Sequence, residues 1–130
     1  MVINPLGIIA ALSAFIGIWL GHVAVRKIEF ISRTIWIPAL VFVALGLFLE
    51  YCSLVVDFLP LKTALGIIGI TLLWDAAELT RQQRRIRKGH APANPNNPRH
   101  ARLLADPNAH ATPADPLRRE PTGVSLSIHE

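Results

Sequence analysis

The chain has one cysteine, Cys52, in 130 residues, so neither an intramolecular disulfide framework nor a CxxC metal or redox pair is available to it. Its neighbours are apolar, and it reads as a small hydrophobe within a helix. Charge is also scarce: 17% of residues are charged against 52% hydrophobic, too few for an ordinary soluble domain of this size. There is no Gly-rich phosphate loop, no internal repeat, and no nucleophile and base at a recognisable spacing. On these grounds no catalytic residue, cofactor site or metal site is expected, the chain is not read as an enzyme, and nucleic acid is not expected as a partner.

What charge there is lies unevenly. Through residue 80, Arg26, Lys27, Arg33 and Lys62 face Glu29, Glu50, Asp57, Asp75 and Glu78, a net charge of −1; from Arg81 onward nine Lys or Arg face Asp106, Asp115, Glu120 and Glu130, a net charge of +5. The basic pI is therefore a property of the C-terminal part, which suits anionic lipid or an acidic partner.

Residues 6–25 carry no charge unless His22 is protonated, and twenty residues at ~1.5 Å each match ~30 Å of hydrocarbon. This is a transmembrane span rather than a cleavable leader, because the basic pair Arg26 and Lys27 follows the apolar run instead of preceding it. A linker over 26–34 offers Ser32 and Thr34 as helix caps. Residues 35–56 form a second span, with Pro38 tolerable near its first turn, and a turn around Phe58, Pro60 and Lys62 leads to a third span over 63–79. A basic helical extension, RQQRRIRK, continues to residue 88, and Gly89 ends it with Pro92 close behind.

Three spans with the N-terminus outside gather Arg26, Lys27, Arg33 and the basic tail on the cytoplasmic side and leave only Lys62 on the other. Trp19, Trp36 and Trp74 then all fall in the inner interfacial belt, with Tyr51 near the outer one. The expected architecture is an all-α membrane protein: a three-helix transmembrane domain over residues 1–90, N-out and C-in in a bacterial inner membrane. Seven prolines among the Asn, Ala and Asp of residues 91–130 leave no periodic apolar face, so this tail is expected to be disordered. His90, His100 and His110 recur at tens within it, a spacing read as chance rather than as a metal site.

Two constellations stand out. Ser13, Gly17 and Gly21 form a strip of small residues on the first span, where another helix can approach closely, either within the chain or from a second copy. The third span has only about twelve uncharged residues between Lys62 and Asp75, or ~18 Å of rise, which draws Asp75 and Glu78 to the inner hydrocarbon boundary beside His22 and Arg26. A carboxylate at that depth normally has a partner, so Asp75 or Glu78 is expected to pair with His22 or Arg26, as a structural clasp or as a proton or ion relay. Glu50 is a lone carboxylate in the outer third of the second span, expected to snorkel or to take a hydrogen bond from Thr63 or Lys62, with an oligomer pore as the alternative.

Gly21-His22 followed by a basic pair and Glu29, Trp36 opening the next span, then LLWDAAELTRQQRRIRKG and the pairs Asn94-Pro95 and Asn97-Pro98-Arg99, together resemble a group of small bacterial membrane proteins, domain-of-unknown-function family 4491. The resemblance covers roughly residues 5–99. Its most specific part is the set Trp74, Glu78, Leu79, Gln82, Arg85, Ile86, Lys88 and Gly89; where members commonly have tryptophan after that glycine, this chain has His90. The resemblance implies fold and location and no activity. The expected role is an accessory or interaction subunit of a membrane complex, with anionic lipid at the basic segment and a membrane protein or a second copy as partner. The competing reading is an oligomeric ion, proton or small-solute transport component using His22, Asp75, Glu78 and Glu50.

Overall fold

The computed structural model describes residues 3–119 and 125–127. Three long helices, α1 (Pro5–Ile31), α2 (Trp36–Val55) and α3 (Leu59–Arg87), precede a short helix α4 (Pro98–Ala105) and two antiparallel strands, β1 (Ala114–Arg119) and β2 (Ser125–Ser127). The first three are long and apolar enough to cross a membrane, and only 17% of the most apolar stretch of each is buried within the chain. A chain with so much apolar surface facing outward, Phe15 and Leu54 among it, is a multi-pass membrane protein.

The helices outrun the expected spans because the end of an apolar run is not the end of a helix. Arg, Lys and Glu are good helix formers, so α1 continues through Arg26, Lys27 and Glu29 to Ile31, and the expected linker shrinks to residues 32–35. Ser32 and Thr34 do not cap α2, whose N-cap is Ile35 without a side-chain cap. Upstream, Asn4 does cap α1: its Oδ1 accepts the Leu6 N–H at 3.0 Å, with Pro5 in the first turn where its missing N–H costs nothing. Pro60, the second residue of α3, likewise lies in a first turn, and α3 starts at Leu59 rather than at residue 63. Residues 32–35 and 56–58 make both connections short, so α1, α2 and α3 run up, down and up. At ~1.5 Å per residue α1 and α3 rise ~40 Å or more, and both overhang a ~30 Å core.

α3 is the central helix. It packs against both α1 and α2, which form no comparable interface with each other. Small residues set its approach. A Cβ on Gly21 would lie 2.6 Å from Asp75 Oδ1, one on Gly17 would lie 2.8 Å from Thr71 Oγ1, and Ser13 is buried on the same strip. The Ser13, Gly17, Gly21 strip is thus used inside the chain, against α3. Across the other seam, a Cβ on Gly69 would lie 2.8 Å from Glu50 Oε1.

Gly89 closes α3 in a left-handed turn with φ +75°. The His90 N–H donates to the Arg85 carbonyl at 2.8 Å and the Gly89 N–H to Ile86 at 3.0 Å, the paired bonds of a Schellman ending. The chain then comes back over the same glycine: the His110 N–H donates to the Arg87 carbonyl at 2.9 Å, and a Cβ on Gly89 would lie 2.5 Å from the His110 carbonyl oxygen. Both the positive φ and this close approach require glycine there.

The expectation of disorder from residue 91 fails for residues 91–112. Ile86, Ala91 and Ala93 form a small buried cluster against Leu103, Leu104 and Ala111, and the Ala93 N–H donates to Thr112 O at 2.8 Å. The prolines that suggested disorder act as turn and cap residues instead. Asn94 Oδ1 accepts the Asn96 N–H at 3.0 Å across Pro95, Asn97 Oδ1 accepts the Arg99 N–H at 3.0 Å, and Pro98 opens α4. Residues 86–112 therefore make a headpiece on the overhanging ends of α1 and α3. Beyond it, β1 and β2 pair Ala114 with Ser127, adding a short hairpin to an otherwise helical chain; residues 120–124 and 128–130, also within the expected tail, lie outside the described residues.

Candidate functional site

The site is built where α1 and α3 leave the apolar segment. Past the contact between Gly21 and Asp75, α1 presents His22, Arg26 and Glu29, and α3 presents Glu78, Gln82 and Arg85. His22 and Asp75 line one groove of ≈ 360 Å³ with Ile18, Ile70, Thr71 and Trp74. His22, Arg26 and Glu78 line an adjoining cleft of ≈ 270 Å³ with Val25, Gln82 and Arg85. The four polar residues singled out in the sequence thus meet along one seam.

They do not pair as expected. Arg26 folds back on its own helix, its Nε donating to the His22 carbonyl at 3.3 Å. Glu78 takes Arg81 one turn along α3 at 3.4 Å, and the Arg81 guanidinium lies 4.6 Å from the Trp74 ring centroid. Among the described residues neither Asp75 nor Glu78 forms an ion pair with His22 or Arg26. Local partners at three- and four-residue spacing are always within reach on a helix, and they take the arginines first. Asp75 is instead buried against the Gly21 backbone. Glu50 likewise rests on α3 at Gly66 and Gly69, while Thr63 Oγ1 donates to the Leu59 carbonyl at 2.9 Å instead of to Glu50.

The firm electrostatic contact lies elsewhere. Glu29 is fully buried; its Oε1 accepts Arg99 Nη1 at 2.7 Å and faces His100 Nε2 at 3.1 Å. His100 Nδ1 accepts the Asn94 N–H at 2.9 Å, which puts the ring proton on Nε2, donating to Glu29. The ring is also fully buried and meets Phe30 edge-on at 6.2 Å. Around this pair the headpiece caps the open end of α1. Asn94 Nδ2 donates to the Phe30 carbonyl at 3.1 Å, Asn97 Nδ2 to Phe30 and Ser32 at 3.0 and 2.9 Å, and Arg99 Nη2 to the Glu29 carbonyl. Helix C-termini leave carbonyls unpaired and carry partial negative charge, so an arginine and two amides meet both needs. Sequence reasoning assigned none of these residues to a site. The available signal was the spacing N-P-N-N-P-R-H, an Asx turn followed by a capped helix start rather than low complexity.

A second, larger cleft of ≈ 400 Å³ opens beside this lock, lined by Arg26, Lys27 and Glu29 of α1, Gln82 and Arg85 of α3, His90, and Asp115 of β1, among others. It shares Arg26, Gln82 and Arg85 with the smaller cleft. His90, His100 and His110 are not assembled: His90 lines the cleft, His100 is buried at Glu29, and His110 works through its backbone. Among the described residues no group of three His, Cys, Asp or Glu is placed to hold a metal ion.

No curated protein and no solved structure matches this chain. A family does, over residues 4–97, a stretch that holds all three long helices, Gly89, Glu29 and the capping amides of Asn94 and Asn97. The chain belongs to the family described as Domain of unknown function (DUF4491).

Proposed function

We propose that this protein is an accessory or interaction subunit of a complex in the bacterial cytoplasmic membrane, N-terminus outside, with the basic end of α3 and the headpiece in the cytoplasm. The observation that carries this reading is the Glu29, Arg99 and His100 lock: it fixes residues 86–112 as a shaped surface on one end of the bundle, as a docking platform requires. The closed seams agree with it. Asp75 and Glu50 sit against glycine backbone between helices, which leaves little room for a solute within one chain. The arginines of the last turn of α3 suit anionic lipid on the same side.

An oligomeric proton or ion pathway is the second reading, favoured by the groove that His22 shares with Asp75. Native mass and pull-down from mild detergent separate the two: a reproducible hetero-complex supports the accessory role, a discrete homo-oligomer supports transport, and a monomer without partners overturns both. Orientation is tested with single cysteines at Asn4 and Asn108 in a Cys52→Ser background. A membrane-impermeant maleimide should label the first in intact cells and the second only after permeabilisation.

A further inference from the structure

We propose that the two clefts between α1 and the basic end of α3 form one binding site for a phosphate group, the chemistry shared by an anionic lipid headgroup and a free phosphate compound. The inference names the ligand of the basic end of α3 and rests on the preceding reading for its place at the membrane surface.

Three observations carry it. The clefts, ≈ 400 and ≈ 270 Å³, share Arg26 from one helix and Gln82 and Arg85 from the other, so cations project into one space from opposite walls. The carboxylates lining that space already hold cations: Glu29 holds Arg99 and His100 through Oε1, its Oε2 being buried without a hydrogen-bond partner, Glu78 holds Arg81, and Asp115 faces Arg118 at 3.9 Å. Arg26, Lys27 and Arg85 have no carboxylate partner among the described residues, and Arg26 makes only the weak bond to its own helix. Like charges gathered around a cleft repel unless an anion lies between them, and guanidinium groups match phosphate oxygens in pairs. The third observation is Gln82. It is 94% buried, its exposure being 6%, and it lines both clefts, yet its amide makes no hydrogen bond among the described residues. The amide atoms themselves open onto the clefts, the buried side-chain atom left without a partner among the described residues being Glu29 Oε2, so the Gln82 amide is free to donate to a phosphate oxygen. On the membrane placement proposed above, Trp74 marks the aromatic belt, and the clefts, lined by Gln82 and Arg85 further along α3, lie just beyond it toward the headgroups.

The test uses the full chain, delipidated in dodecyl maltoside. Native mass spectra are recorded with phosphatidylglycerol, and melting is followed with phosphatidylglycerol or inorganic phosphate. One phosphatidylglycerol per chain is expected to survive. The pair Arg26→Gln and Arg85→Gln should weaken it about a hundredfold, roughly tenfold per guanidinium. The pair Arg84→Gln and Arg87→Gln, equal in charge but lining neither cleft, should change it less than about threefold. Gln82→Leu should cost about tenfold while keeping the melting temperature, and Gln82→Glu should abolish binding. Stabilisation by phosphatidylglycerol that inorganic phosphate does not reproduce assigns the site to lipid; stabilisation by inorganic phosphate lost with Arg26 and Arg85 assigns it to a soluble phosphate compound. Equal losses from both arginine pairs would overturn the site and leave only diffuse basic anchoring, with the accessory reading intact. No response of the parent protein to either probe would overturn it as well.

Discussion

Arg99 reaches across seventy residues of sequence to place its Nη1 2.7 Å from Oε1 of Glu29, a carboxylate with no exposure to solvent. The same guanidinium caps the Glu29 and Ser32 carbonyls, so one side chain neutralises the buried charge and closes the end of α1.

Removing one partner of a buried ion pair leaves the other uncompensated, at a cost of about 3–5 kcal/mol. Arg99→Ala should therefore release the headpiece, read as lost hydrogen-exchange protection at the Ala93 and His110 amides, which donate to Thr112 and Arg87. Glu29→Gln keeps the shape and an acceptor and should cost less, about 1–2 kcal/mol. Unchanged protection in Arg99→Ala would refute the lock.

Gly21 has no room for a methyl group. Gly21→Ala should destabilise the contact of α1 with α3 by about 1–3 kcal/mol, because the Asp75 carboxylate lies where the Cβ would go. Asp75→Ala in the same chain should recover most of that loss. A detergent denaturation series that finds the two substitutions additive would show that the clash is not with Asp75.

Gly89→Ala combines a strained φ with a contact on the His110 carbonyl, for an expected loss of about 1–3 kcal/mol. Proteolysis between residues 89 and 112 should accelerate while the long helices remain protected, as judged by the fragments released.

His22 and Glu78 should show little coupling. Glu78 is held by Arg81 on its own helix, so a double-mutant cycle of His22→Ala and Glu78→Ala should give an interaction of less than about 0.5 kcal/mol. A coupling above about 1 kcal/mol would restore the clasp between the helices that the sequence suggested.

The two sites differ in how far they could be read from the chain. The meeting of His22, Arg26, Asp75 and Glu78 was legible because it follows from measuring two apolar runs against one bilayer thickness. Who pairs with whom was not, since Arg81 is in reach of Glu78 along α3 and the His22 carbonyl is in reach of Arg26 along α1. Glu29 was hidden in an expected linker, and Arg99 and His100 in an expected disordered tail, because composition counts prolines without asking which asparagine stands before each one.

What the sequence determined by itself is the set of three spans, the small-residue strip and the glycine that ends α3, all consequences of local periodicity and of the length an apolar run needs to cross hydrocarbon. Only the tertiary structure decided that Ser13, Gly17 and Gly21 face α3, that Asp75 rests on Gly21, and that residues 91–112 fold back onto α1. Those outcomes rest on contacts between residues far apart in the chain, where a buried charge and uncapped carbonyls at one helix end are met together by the Arg99 guanidinium.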